Sequence, residues 1–273
     1  MLRRLALPTA LLVLIVLGGS PAAADPGPPP SSMAALGDSI TRGFNACGWY
    51  SDCSSESWST GDDSTVGSHY LRIRAKNPAM SGHAYNDAKT GAKSDAIAGQ
   101  AQTAAGQKAG YVTILIGAND ACTSTEAAMT SVATFRARIE AALSALRSGV
   151  PNARILILSI PDLMRLWSIG KDNSSARSAW SLFNVCQSML ARPTSTAAAD
   201  AARRDRVRQR VVDFNGQLVG ACTAYGANCL YDDNGVFSYP FVLGQVSTWD
   251  YFHPNTAGQK ALADVSYVKG YDW

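Results

Sequence analysis

The stretch Met33-Ala34-Ala35-Leu36-Gly37-Asp38-Ser39-Ile40-Thr41-Arg42 runs from small apolar residues straight into Gly-Asp-Ser. That pattern predicts a buried strand ending in a tight turn that feeds a helix. Ser39 would then hold its hydroxyl at the carboxyl end of the strand and its backbone N–H at the start of the helix. One residue could supply a nucleophile and, aided by the helix dipole, one donor to the oxyanion it creates. Alone, the tripeptide suits a plain strand boundary equally well, with Asp38 or Ser39 as a cap.

Outward from this stretch, strands and helices alternate. Residues 111–116 are unbroken, apolar and β-branched, as a central parallel strand covered on both faces requires, and they end in Gly117-Ala118-Asn119-Asp120. Residues 154–160 form a second buried strand, stopped by Pro161, and weaker strands are read at 82–88 and 228–231. Helical spacing covers 68–77, 94–108, 125–147, 200–219 and 256–267. The alternation predicts an α/β fold with one parallel sheet. Residues 162–196 are expected to be irregular. The polar segment 44–68, with Trp49, Tyr50 and Trp58, is a long loop that either walls a cleft or covers the domain.

Arg3 and Arg4, the apolar run Leu5 to Leu17 and the small residues Ala22-Ala23-Ala24 make residues 1–24 a secretory signal peptide. The apolar run is short for a membrane span. Residues 25–32 are a Pro-rich leader expected to be disordered, and 33–273 are expected to form a single domain. The formal net charge of +3 falls to +1 once Arg3 and Arg4 are removed, which gives no reason to expect a nucleic acid partner. The basic run 203–210 reads as a solvated helix face. A secreted monomer without stable membrane insertion is expected.

An exported chain with six cysteines is expected to form disulfides. Nearest neighbours pair as Cys47–Cys53, Cys122–Cys186 and Cys222–Cys229. The close pairs are separated by five and six residues and only three histidines occur, which argues against zinc. No metal or cofactor is expected. A bridge from Cys122 to Cys186 would tie segment 162–200 to the loop beyond Asn119, where its Trp and Met side chains either line an acyl pocket or pack as core.

Of the three histidines, His69 falls in a helix and His83 at a weak strand edge. His253 lies in a loop before the last helix, three residues after Asp250. A turn there would let the carboxylate hold the imidazole in one tautomer, though the spacing also suits a local capping contact. Asn119, at the carboxyl end of the central strand, could donate to an oxyanion, as could the N–H of Gly91. Asn119 or Asp120 could also simply cap a helix. Asp38 is expected to brace its turn.

The blocks Gly37-Asp38-Ser39-Ile40, Asn86 to Gly91-Ala92, Gly117-Ala118-Asn119-Asp120 and Asp250-Tyr251-Phe252-His253-Pro254 resemble, in order, those of the SGNH or GDSL hydrolases of carboxylic esters. The closest likeness is to secreted actinobacterial esterases and lipases with three disulfides. The resemblance implies a flavodoxin-like three-layer α/β/α sandwich. It further implies Ser39 as nucleophile, His253 as base, Asp250 as its orienter, and an oxyanion hole of Ser39 N–H, Gly91 N–H and the Asn119 amide. The substrate would be a small-molecule or lipid ester. Thr41 stands where the elbow of the other common lipase fold needs a second glycine. Rival readings are a carbohydrate esterase, a phospholipase, and a non-catalytic binding protein that keeps the fold.

Overall fold

The computed structural model describes residues 27–273, so the signal peptide read at 1–24 lies outside the described residues. In chain order the elements are β1 (Met33–Gly37), α1 (His69–Lys76), β2 (Ala84–Asn86), α2 (Ile97–Gly106), β3 (Tyr111–Leu115), α3 (Ala118–Ala121), α4 (Val132–Gly149) and β4 (Arg154–Ile157). There follow α5 (Leu163–Gly170), α6 (Ser174–Leu182), α7 (Gln187–Leu190), α8 (Ala198–Tyr225), β5 (Cys229–Tyr231), α9 (Gly235–Ser238) and α10 (Thr256–Tyr267). The five strands form one parallel sheet in the order β2-β1-β3-β4-β5.

The burial of β1 and β3 explains their composition. Every residue of both is buried, because helices lie on both faces of the sheet. On one face α2, α4 and α8 pack side by side, with Phe135 of α4 stacked on Phe214 of α8 at 4.2 Å. On the other, His69 of α1 bridges Tyr111 Oη at 3.0 Å and Ser266 Oγ of α10 at 2.8 Å. Burial pushes the His69 imidazole down to about 3, helped by the charge of Arg72, so this histidine is a neutral core residue. The result is a three-layer α/β/α sandwich.

The sheet order reverses between β1 and β3, and in open α/β sheets ligands bind beyond the carboxyl ends of strands at such a switch point. Gly37, the last residue of β1, pairs with Leu115 of β3. Ser39 and Asn119 therefore leave the sheet next to each other. Three disulfides join Cys47–Cys53, Cys122–Cys186 and Cys222–Cys229.

Four local readings change. The helix expected after Ser39 is replaced by overlapping turns, because Gly43 and Asn45 adopt left-handed backbone (φ +65° and +63°) and reverse the coil. The Ser39 N–H thus lacks a regular helix behind it. Helix α4 starts at Val132 instead of 125, since Ser131 caps Thr134 N and Asp120 holds Thr130 at 2.7 Å outside the helix. Segment 162–196, expected to be irregular, holds three short helices. Asp162 caps α5 through Met164 N and Asn173 caps α6 through Ala176 N, both at 2.9 Å. Finally, residues 29–32 of the leader are docked. A proline-rich backbone leaves its carbonyls free for outside donors, and the Asn77 amide donates to Pro29 O and Pro30 O while Gly110 and Tyr111 donate to Ser32 O.

Candidate active site

The turn bearing Ser39 is fixed from below. Gln100 of α2 clamps Gly37 twice, accepting from its N–H at 2.7 Å and donating to its carbonyl at 2.9 Å. Only glycine fits there: with φ +154°, an added Cβ would meet Leu115 O at 2.4 Å. Asp38 is buried and accepts from Ile40 N at 2.9 Å, so it does brace the turn, while its other oxygen has no partner. Burial pushes its carboxyl up to about 7, against the opposing pull of the Ile40 N–H and of His253.

His253 reaches this turn from the far end of the chain. Its Nε2 lies 2.7 Å from Ser39 Oγ and its Nδ1 2.5 Å from Asp250 Oδ2. A carboxylate only accepts, so Nδ1 carries the proton and Nε2 turns its lone pair to the hydroxyl. Asp250 Oδ1 accepts from Phe252 N and His253 N, the local turn that the spacing allowed. Burial opposes ionisation of Asp250, yet the hydrogen bonds and charge from His253 and the two N–H groups prevail and hold it below the usual carboxylate range. Phe44 and Phe252 each set a ring 5.0 Å from the imidazole. The loop itself is braced by Ser247 N donating to His253 O and by the Trp180 indole donating to Tyr251 O.

Two residues absent from the sequence reading complete this array. Asn45 donates to Asp250 Oδ2 at 2.7 Å from a buried, left-handed position. Gln259 of α10 ties the turn to the long loop, donating to Ile40 O at 2.8 Å and accepting from Trp58 N at 3.0 Å.

Gly91 and Asn119 come together through Ala92, whose carbonyl accepts one N–H of the Asn119 amide at 2.9 Å. Asp120 anchors the same loop, accepting from Ser94 N and Ser94 Oγ at 2.8 and 2.6 Å. Among the described residues, the N–H groups of Ser39 and Gly91 donate to no protein atom. A hydroxyl hydrogen-bonded to an imidazole, beside uncommitted N–H donors, can attack a carbonyl and hold the negative charge that results.

An apolar cleft of about 60 Å³ adjoins the array, lined among others by Ile40, Ala118, Leu163, Leu166, Ile169 and Phe252. Three of these are chain neighbours of Ser39, Asn119 and His253. The 162–200 segment thus contributes leucine and isoleucine to the cleft. Its tryptophans lie elsewhere: Trp180 is buried under the His253 loop, and Trp167 donates to Pro193 O beneath the Arg204 guanidinium. Loop 44–68 is divided in role, with Trp58 buried as cover and Trp49 and Tyr50 exposed.

A model of the GDSL-like lipase/acylhydrolase family matches residues 33–265. No curated protein matches the chain in sequence. Among solved structures, an extracellular lipase from Streptomyces rimosus is similar at 18% identity and a TM-score of 0.51, over 87% of this chain and 99% of its own. A putative GDSL-like lipase from Parabacteroides merdae is similar at 16% identity and a TM-score of 0.52, over 90% and 98%. Phospholipase A1 from Streptomyces albidoflavus is similar at 19% identity and a TM-score of 0.50, over 88% and 100%. These likenesses carry the fold, and the family match covers the blocks that hold Ser39, Asn119 and His253. The chain belongs to the GDSL-like lipase/acylhydrolase family, and so to the carboxylic ester hydrolases.

Proposed function

We propose that the protein is a secreted serine esterase acting through a covalent acyl-enzyme on Ser39. The observation that carries this reading is the hydrogen-bonded row Ser39 Oγ, His253 Nε2, His253 Nδ1, Asp250 Oδ2, at 2.7 and 2.5 Å. His253 takes the proton as Ser39 Oγ attacks the ester carbonyl. Asp250 stabilises the imidazolium that forms. The oxyanion is met by Ser39 N–H, Gly91 N–H and the second N–H of the Asn119 amide. His253 then protonates the leaving alcohol, and water repeats the sequence to release the acid. Export is supported by three disulfides, which persist in oxidising compartments.

The apolar cleft beside Ser39 is the acyl site, and its lining favours aliphatic chains over acetyl. Each methylene buried there is worth about 0.8 kcal/mol, roughly fourfold in kcat/KM. A fluorophosphonate probe tests the mechanism: it should label the protein at Ser39 and fail to label Ser39→Ala, which should fold normally and lose turnover. Normal hydrolysis of a short-chain aryl ester by Ser39→Ala would refute the mechanism. Export is checked by the mature N-terminus in culture medium, expected at Asp25.

A further inference from the structure

Of the three donors assigned to the oxyanion, two are built into the body of the fold and one is not. Ser39 lies in the buried turn held by Gln100 and Gln259, and Asn119 sits in the short helix that follows the central strand. Gly91 is exposed, and a Cβ added to it would meet nothing within 4 Å. No side chain packs on this glycine, so hydrogen bonds must place it. Its turn is Lys89-Thr90-Gly91-Ala92, closed by Ala92 N–H donating to Lys89 O at 2.9 Å, with Gly91 at φ +80°. That is the type II geometry, which favours glycine at the third position. The ends of the turn are tied down: Lys89 N–H donates to Gly37 O at 3.1 Å, and Ala92 O accepts from the Asn119 amide at 2.9 Å. The tip is held differently. Among the described residues, the one hydrogen bond that Thr90 or Gly91 makes to protein runs from Thr90 Oγ1 to Asp52 Oδ1.

The second oxygen of Asp52 faces the nucleophile's side. Oδ2 accepts from Arg42 Nε at 3.1 Å. Arg42 belongs to the turns that follow Ser39: its N–H donates to Asp38 O at 3.1 Å, and its Nη1 donates to Asn86 O at 3.3 Å. One carboxylate thus spans the gap between the turn bearing the Ser39 N–H and the turn bearing the Gly91 N–H. Asp52 is itself fixed in the chain, between Cys53 of the Cys47–Cys53 bridge and Ser51, whose carbonyl accepts from Asn45 N at 2.9 Å. A carboxylate suits this place because it accepts from a guanidinium and a hydroxyl at once. Its charge would oppose a nearby oxyanion, and the Arg42 guanidinium offsets it. A partly exposed ion pair of this kind adds little to stability. The spacing of two oxyanion donors is far more sensitive, since a site of this type works only within about 0.5 Å of its productive geometry.

We propose that Asp52 is a positioning residue for the oxyanion site, setting the separation of the Ser39 and Gly91 N–H groups by holding Thr90 with one oxygen and Arg42 with the other. The proposal rests on the reading of Gly91 as an oxyanion donor and adds what places it. Asp52 acts through Thr90 and Arg42, and bonds to neither Ser39 nor His253.

Steady-state hydrolysis of p-nitrophenyl butyrate tests this. Asp52→Ala and Thr90→Val each remove the link and should lower kcat about tenfold with KM within about twofold, less than the hundredfold or more that losing a whole oxyanion donor costs. The double variant should lose no more than either single one. Thr90→Ser keeps the hydroxyl and Asp52→Asn keeps a group that bonds it, so both should stay within about threefold of the parent. A trifluoromethyl ketone, whose adduct on Ser39 puts an oxyanion in the site, should bind about tenfold more weakly to Asp52→Ala and Thr90→Val. The acid limb of the pH–rate profile should stay in place, because the His253–Asp250 pair is untouched, and Tm should shift by no more than about 3 °C. If Asp52→Ala folds poorly, Thr90→Val against Thr90→Ser gives the same comparison. Parent-like kcat in Asp52→Ala and Thr90→Val, additive losses, an Asp52→Asn variant as slow as Asp52→Ala, or a displaced acid limb would each overturn the proposal. Turnover by Ser39→Ala would sink the Ser39 reading, whereas an inactive Ser39→Ala beside a parent-like Thr90→Val would sink the role of Asp52 alone.

Discussion

Asn45 donates its side-chain N–H to Oδ2 of Asp250 at 2.7 Å, the same oxygen that meets His253 Nδ1 at 2.5 Å. Its own backbone N–H is held by Ser51 O inside the loop closed by Cys47–Cys53. The orientation of Asp250 is thereby coupled to a loop 205 residues away in sequence. Asn45→Gly removes the donor without straining the left-handed backbone. A hydrogen bond to a buried charge is worth about 1.5–3 kcal/mol, so kcat/KM should fall about tenfold to a hundredfold. The carboxylate loses a donor to its charged form, so the acid limb of the pH–rate profile should move upward. A lower Tm with an unchanged pH profile would make Asn45 a structural residue only.

Asn119→Ala should lower kcat by about a hundredfold to a thousandfold, or about 3–4 kcal/mol in the barrier, with little change in KM. Steady-state kinetics on a soluble aryl ester reads both parameters. A rise in KM at constant kcat would remove Asn119 from the oxyanion site.

Leu166→Trp should narrow the cleft and turn chain-length preference toward acetate, as a series of p-nitrophenyl esters would register. Trp180→Ala is expected to behave in the opposite sense. Its side chain is buried against Gly170 and under Tyr251, so stability should fall by about 3–5 kcal/mol while chain-length preference holds. Denaturant unfolding and the ester series together separate the two roles.

Asp38 gives stability a pH dependence of unusual sign for a carboxylate. Its folded-state value is pushed up to about 7 by burial, above the ordinary 3.8. The folded protein therefore favours the protonated form, and this group's contribution is intact below pH 4 and lost progressively as pH rises toward 7. The full difference is on the order of 4 kcal/mol. Asp38→Asn should remove that slope, so the variant should gain stability relative to the parent as pH rises from 4 to 7. Parallel Tm curves for the two proteins would show that Asp38 does not titrate in this range.

Strands β1, β3 and β4 were legible because a strand buried on both faces must be continuously apolar, and few other elements read that way. The Asp250–His253 turn was legible because three residues suffice to fold the carboxylate back. Asn45 was not, since its role depends on a left-handed backbone and on a partner at the other end of the chain. The short helices of 162–196 escaped notice because Asp162 and Asn173 look like loop residues until they cap. Composition leaves the tryptophans of 162–200 open between acyl cleft and core, and packing decides: Trp180 lies under the His253 loop and the cleft falls to Leu163, Leu166 and Ile169. The helix after Ser39 failed on two left-handed residues.

The outermost strands, β2 and β5, are three residues each. So short a border offers a neighbouring molecule almost no backbone on which to extend the sheet. A chain that leaves side chains such as Trp49 and Tyr50 exposed thus keeps the flanks of its sheet closed to fibril growth.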